Sequence, residues 1–144
     1  MRFTIDPDAL GGTSSDGLYS VRKRGDRYGT FLDLICDDKL TQTVWVRRNQ
    51  RAVLPHEKPI AGDAEEVLEW VVDNNAGTGT DRLLTLTDPI GDTTLGELLQ
   101  SFFEADEVLW AKRMDEQGRP WPRSLVRIGC RGNQRSMMED RYGP

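Results

Sequence analysis

Histidine is almost missing from this 144-residue chain, which holds only His56, and cysteine is limited to Cys36 and Cys130. A lone histidine excludes multi-histidine zinc and iron sites, and His56-Glu57 lacks the second histidine of a His-Glu-x-x-His helix. Two cysteines exclude a disulfide framework. They leave one Cys36–Cys130 bridge open, although both lie in apolar, strand-like stretches where a reduced, buried thiol is the commoner state. A Cys36/His56 nucleophile pair would need a basic neighbour or a helix N-terminus to hold the thiolate, and Cys36 has neither beside it. Apolar runs extend only a few residues, far short of the roughly 20 that cross a bilayer. Met1-Arg2-Phe3-Thr4-Ile5-Asp6 turns polar before a secretory signal could develop. An intracellular, cytoplasmic protein with no membrane segment is expected.

Recognisable catalytic and ligand-binding motifs are also lacking. The glycine-rich residues 76–81 follow an expected helix and lack the Lys-Ser/Thr of a phosphate-binding loop. Cys130 and Arg135 stand one residue too close for a cysteine-phosphatase loop, and Gly132 is misplaced for it. Asp37-Asp38, Glu104-Asp106-Glu107 and Asp115-Glu116 lack the ligand spacing of a dedicated calcium loop. No cofactor or metal is expected. An enzyme built on scattered carboxylates, arginines and a tyrosine such as Tyr28 stays open, because those residues are too common for sequence to reject.

What the chain does have is charge sorted into blocks. Residues 59–110 carry twelve carboxylates against one base, Arg82. Residues 19–58 carry nine bases against five acids, and residues 111–144 carry eight against four. The net charge is −5, with both signs segregated along the chain. Such a bipolar protein is suited to steering and orienting a charged partner. Arginine outnumbers lysine fifteen to four, a bias that fits a GC-rich genome and weakens any argument from a single guanidinium.

The length suits one self-sufficient domain over residues 1–144, ending in a polar tail from Arg131 onward. Residues 2–5, 18–24, 28–36 and 41–48 read as strands separated by turn residues, with residues 51–54 extending the meander. Tyr28, Thr30, Leu32, Leu34 and Cys36 alternate onto one face. Past Pro55 and Pro59 the pattern changes period. Asp63-Ala64-Glu65-Glu66 resembles a capping box, and Val67, Leu68, Val71 and Val72 fit one helical face. Residues 82–86 read as a strand. Thr94-Leu95-Gly96-Glu97 opens a second helix with Leu95, Leu98, Leu99, Phe102 and Phe103 as its stripe. Residues 107–114 and 123–130 then read as a hairpin. The expected fold class is α+β: a largely antiparallel sheet, made of an N-terminal meander and a C-terminal hairpin, with two helices packed on one face.

Two sets of residues stand out as partner sites. The acidic set is Glu65, Glu66, Glu69 and Asp73 on the outer face of the first expected helix, with Trp121, held between two prolines, as an exposed anchor. Trp70 is expected in the core, while Trp110, Met137 and Met138 are further anchor candidates. This set points to a non-enzymatic module that docks a protein with a basic surface, in the manner of small inhibitors, immunity and anti-defence factors, or phage and bacterial assembly components. The basic set is Arg22, Lys23, Arg24, Arg27, Arg47, Arg48 and Arg51 at neighbouring strand ends, which suits single-stranded nucleic acid as the alternative partner. Self-association stays open.

Overall fold

The computed structural model describes residues 1–6, 11–25, 29–57, 64–73 and 85–131, the last of these by its backbone alone. Strands β1 (Phe3–Asp6), β2 (Gly11–Ser14), β3 (Tyr19–Gly25), β4 (Gly29–Cys36) and β5 (Lys39–Ala52) form an antiparallel meander. A 3₁₀ turn (Pro55–Glu57) and strand β6 (Glu66–Asp73) follow, then a two-stranded hairpin, β7 (Pro89–Ile90) and β8 (Thr93–Thr94). Helix α1 (Leu95–Glu116) and strand β9 (Ser124–Arg131) complete the described chain. The main sheet has seven strands in the order β1-β2-β3-β4-β5-β6-β9. The protein is thus α+β, with a large, mostly antiparallel sheet and, among the described residues, one helix.

Asp37 and Asp38 make the tight β4–β5 turn, both with positive φ (53° and 61°), as a two-residue hairpin of right-twisting strands requires. Strand β5 is fourteen residues long and changes partners along its length, pairing β4 up to Arg47 and β6 from Val46 onward. Helix α1 packs against β1 and β9, the two ends of the strand order, so the sheet curls around it. Inside the curl, Tyr19, Val21, Leu32, Leu34, Val44, Val46, Trp70, Val72 and Val126 meet Leu95, Leu98, Leu99, Phe102 and Phe103 of α1. The β7–β8 hairpin closes one end of this core: Ile90 is buried, and the N–H of Asp92 donates to Tyr19 Oη at 2.8 Å. Gly91 sits there at φ +62°, and a Cβ on it would stand 2.8 Å from that hydroxyl.

In place of the expected helix after Asp63, residues Glu66–Asp73 form strand β6. In β6, Val67, Leu68, Trp70, Val71 and Val72 are all buried, so both faces are covered. A doubly covered strand shows a near-continuous apolar run instead of alternation, and that run also fits a helical face. Three valines and a tryptophan favour the extended form once neighbours are available.

The expected hairpin is also replaced. Residues 107–114 continue α1, because nothing between Phe103 and Glu107 breaks a helix and Glu-Val-Leu-Trp-Ala-Lys-Arg-Met contains mostly good helix formers. The start of α1 is the expected Thr94 cap, whose hydroxyl accepts from Glu97 N. The helix ends before Gly118, which takes φ +71°. Strand β9 then returns parallel to β6, with Leu68 opposite Val126 and Trp70 opposite Ile128. The β6–α1–β9 segment is therefore a crossover unit.

Smaller differences follow the same logic. Residues 11–14, expected in a loop, form β2, where Gly11 and Gly12 pair with Arg22 and Val21. Thr85 and Leu86 are not in a strand, and the remainder of that expected strand, residues 82–84, lies outside the described residues. So do the glycine-rich residues 76–81, Tyr28 and the tail beyond Arg131.

Cys36 and Cys130 sit on β4 and β9, three strands apart, or about 14 Å at ordinary strand spacing. That is beyond disulfide reach, and neither cysteine is in a disulfide. Cys36 pairs with Lys39 at one end of β5, whereas His56 lies past the other end, so they form no dyad.

Candidate interaction surfaces

The cross-strand register divides the expected basic set between the two faces of the sheet. Arg24 lies opposite Phe31, Phe31 opposite Trp45, Gly29 opposite Arg47, and Arg51 opposite Val67, all on the face turned away from α1. Arg22, opposite Asp33, joins them. Lys23 and Arg48 point to the helix side, where Lys23 Nζ meets Asp106 Oδ1 at 3.1 Å and Arg48 pairs with Trp70. Arg27 lies outside the described residues.

At the centre of the outer face, the Phe31 and Trp45 rings pack 4.8 Å apart, and the Arg24 guanidinium lies 5.5 Å from the Phe31 centroid. The Trp45 indole covers Gly29 so closely that a Cβ there would come within 3.0 Å of it.

Arg24, Arg47 and Arg51 on this face are paired with carboxylates. Arg24 holds Asp33 through two hydrogen bonds of 3.1 and 3.0 Å, and Thr43 donates to the same carboxylate at 2.8 Å. Burial pushes the Asp33 carboxyl up, but these donors outweigh it and hold it below the usual carboxylate range.

Of the expected acidic set, Glu69 and Asp73 lie on this same face as counter-ions, 3.6 Å from Arg51 Nε and Arg47 Nε. Glu66 accepts a hydrogen bond from Gln50, and Glu65 is exposed just before β6. The four carboxylates therefore do not form a helical docking face. Alternation along a strand splits them, and β5 supplies partners to three.

Glu57 was not singled out by sequence reasoning. It is buried, bound by Arg51 of β5 at 2.6 and 3.0 Å and by the Leu54 N–H at 2.9 Å, with Arg127 Nε of β9 at 3.6 Å. The Arg51 hydrogen bonds are the main cause that lowers its pKa from 4.5 to about 2. Its only sequence signal was an acid six residues from an arginine across a proline turn.

Carboxylates do gather on a helix, but on α1. It carries Glu97, Glu104, Asp106, Glu107, Asp115 and Glu116 against Lys112 and Arg113. Asp106 is engaged by Lys23, while Glu97, Glu104, Asp115 and Glu116 are exposed. Val108 stands among them, 71% exposed.

Trp121 is half-buried rather than exposed. Its Nε1 donates to Glu107 Oε1 at 2.6 Å, and its ring meets the edge of Trp110 at 5.9 Å. Trp121→Ala is therefore expected to lower stability by about 1–2 kcal/mol, the sum of a charge-assisted hydrogen bond and an aromatic contact. Thermal unfolding measures this, and an unchanged midpoint would contradict the clamp.

Among the described residues, no group of three or more histidines, cysteines and carboxylates could hold a metal ion. No described helix is long and apolar enough to cross a membrane. No family model, curated protein or solved structure matches the chain.

Proposed function

We propose that this chain is a non-enzymatic interaction module that docks a basic protein surface through the solvent face of α1, in the manner of a small inhibitor, immunity or anti-defence factor. One observation carries the reading: exposed Glu97, Glu104, Asp115 and Glu116 share a single rigid helix with the protruding Val108. Acidic residues around an apolar centre suit fast, oriented association with a basic partner. The arginines of the opposite face are largely neutralised by their own carboxylates, so the acidic helix is the less compensated surface.

A second reading has its own observation. Arg22, Arg24, Arg47 and Arg51 share one sheet face with the Phe31–Trp45 pair, an arrangement that suits stacking of single-stranded bases.

One experiment separates them: capture from native-source lysate with and without nuclease, using the wild type and the triple variant Glu104→Lys, Asp115→Lys, Glu116→Lys. A stoichiometric, basic protein that survives nuclease but is lost with the triple variant and at high salt is the expected result. If the triple variant still captures that protein, α1 is not the docking face. If nuclease removes every partner, the outer-face arginines take over the reading.

A further inference from the structure

The two ends of the sheet are treated differently. At β9, the side chain of Gln100 on α1 donates to the Val126 carbonyl at 2.8 Å, so part of that edge is already occupied. At β1, the Ser15 N–H donates to the Arg2 carbonyl at 2.8 Å, which identifies Arg2 as a hydrogen-bonded ladder position. In an antiparallel pair such positions alternate. With Phe3 opposite Ser14, the backbone groups of Arg2, Thr4 and Asp6 therefore turn toward β2, and those of Phe3 and Ile5 turn away from it. Two N–H and two C=O groups thus point out from an edge that no other described strand covers, the pattern that recruits another strand.

The side chains along that edge are self-complementary. Arg2, Phe3, Thr4, Ile5 and Asp6 read base, apolar, polar, apolar, acid, a pattern that inverts its charge when reversed about Thr4. Arg2, Thr4 and Asp6 are exposed on one side, while Phe3 packs inward on Phe102.

We propose that β1 pairs with β1 of a second copy, antiparallel about a two-fold axis at Thr4, joining two seven-stranded sheets edge to edge. Phe3 and Ile5 of one copy then exchange backbone hydrogen bonds with Ile5 and Phe3 of the other. Arg2 falls directly opposite Asp6 of the second copy, and Asp6 opposite its Arg2. These are the non-hydrogen-bonded positions, where side chains come closest.

Four residues of ladder are a small interface alone, and the structure supplies more. A cleft of about 650 Å³ runs between β1 and α1, with Met1, Phe3, Ile5, Ala105, Val108 and Leu109 among its lining. The same axis brings the two clefts side by side and gives the exposed Met1 apolar surface to meet. This interface is isologous, as a two-fold requires, and goes beyond the docking assigned to the acidic residues of α1.

The test is solution mass by light scattering, from micromolar to submillimolar concentrations of the full chain. Wild type is expected to rise to twice the chain mass. Thr4→Lys sets lysine against lysine across the axis, and Asp6→Arg sets arginine against arginine; each is expected to weaken dimerisation at least ten-fold. The double exchange Arg2→Asp, Asp6→Arg restores the pairing and is expected to recover the dimer. Unfolding midpoints at monomeric concentrations check that each variant is folded, and Thr4→Lys, at an exposed position, keeps the test valid if Asp6→Arg folds poorly. A wild type that stays monomeric throughout, or a dimer unaffected by Thr4→Lys, overturns the proposal. A small amphiphile filling the cleft would show as the monomeric outcome.

Discussion

Phe103→Ala is expected to remove about 3–5 kcal/mol, a large part of the stability of a domain this size. Phe103 is 1% exposed, and its ring stacks on Trp70 of β6 at 4.1 Å and 12°. Its other side meets Phe102 at 5.1 Å, and Phe102 meets Phe3 of β1 at 5.8 Å. This chain of rings ties the helix to one strand near each end of the sheet order. Truncation loses the buried ring area and leaves a cavity between two rigid elements that cannot easily collapse. Urea unfolding of Phe103→Ala beside Glu104→Ala isolates the effect, since the neighbouring Glu104 is exposed. A loss below about 1 kcal/mol would mean that the sheet holds its curl without this contact.

Glu57→Ala is expected to cost about 3 kcal/mol, because it strips a partly buried arginine of its main counter-ion. Arg51 keeps a 3.6 Å contact with Glu69 and a 3.2 Å hydrogen bond to the Ala52 carbonyl, and the Leu54 N–H loses its acceptor. Acid should produce part of the same effect in the wild type. The Glu57 carboxyl lies at about 2 in the folded protein against an ordinary 4.5. A depressed carboxyl stabilises the fold fully above pH 4.5, and that stabilisation fades as the pH falls from there through about 2. It amounts to roughly 2–3 kcal/mol, reduced because Arg51 is a third exposed and screened by solvent. Equilibrium unfolding between pH 6 and pH 2 measures this, and Glu57→Gln should flatten the acid limb. An unchanged slope in Glu57→Gln would assign the acid sensitivity to other carboxylates such as Asp33.

Local chemistry was enough for the meander apart from β2, whose Gly11 and Gly12 carry no strand signal. Leu32 and Leu34 alternate inward, Asp37 and Asp38 turn the chain, and Thr94 caps α1, all decided by residues within a few positions of one another. The sorted charges were equally plain, since a bipolar composition needs no fold to be read. The element over residues 66–73 was not legible in this way. Val67, Leu68, Trp70, Val71 and Val72 suit a helix face or a doubly covered strand alike. The choice fell to β5 and β9, which lie far off in the chain and supply the hydrogen bonds on either side.

The site followed that choice. As a helix, residues 65–73 would have presented Glu65, Glu66, Glu69 and Asp73 to solvent together. As a strand they alternate, and Arg47 and Arg51 of the neighbouring strand claim Asp73 and Glu69. Exposed carboxylates gather instead on α1, which runs on past Phe103 because residues 107–114 are mostly good helix formers. Sequence determines periodicity, caps and turns because those energies are local. Which faces are covered, and which charges are already paired, depends on contacts between residues far apart in the chain, and only the tertiary structure decides those.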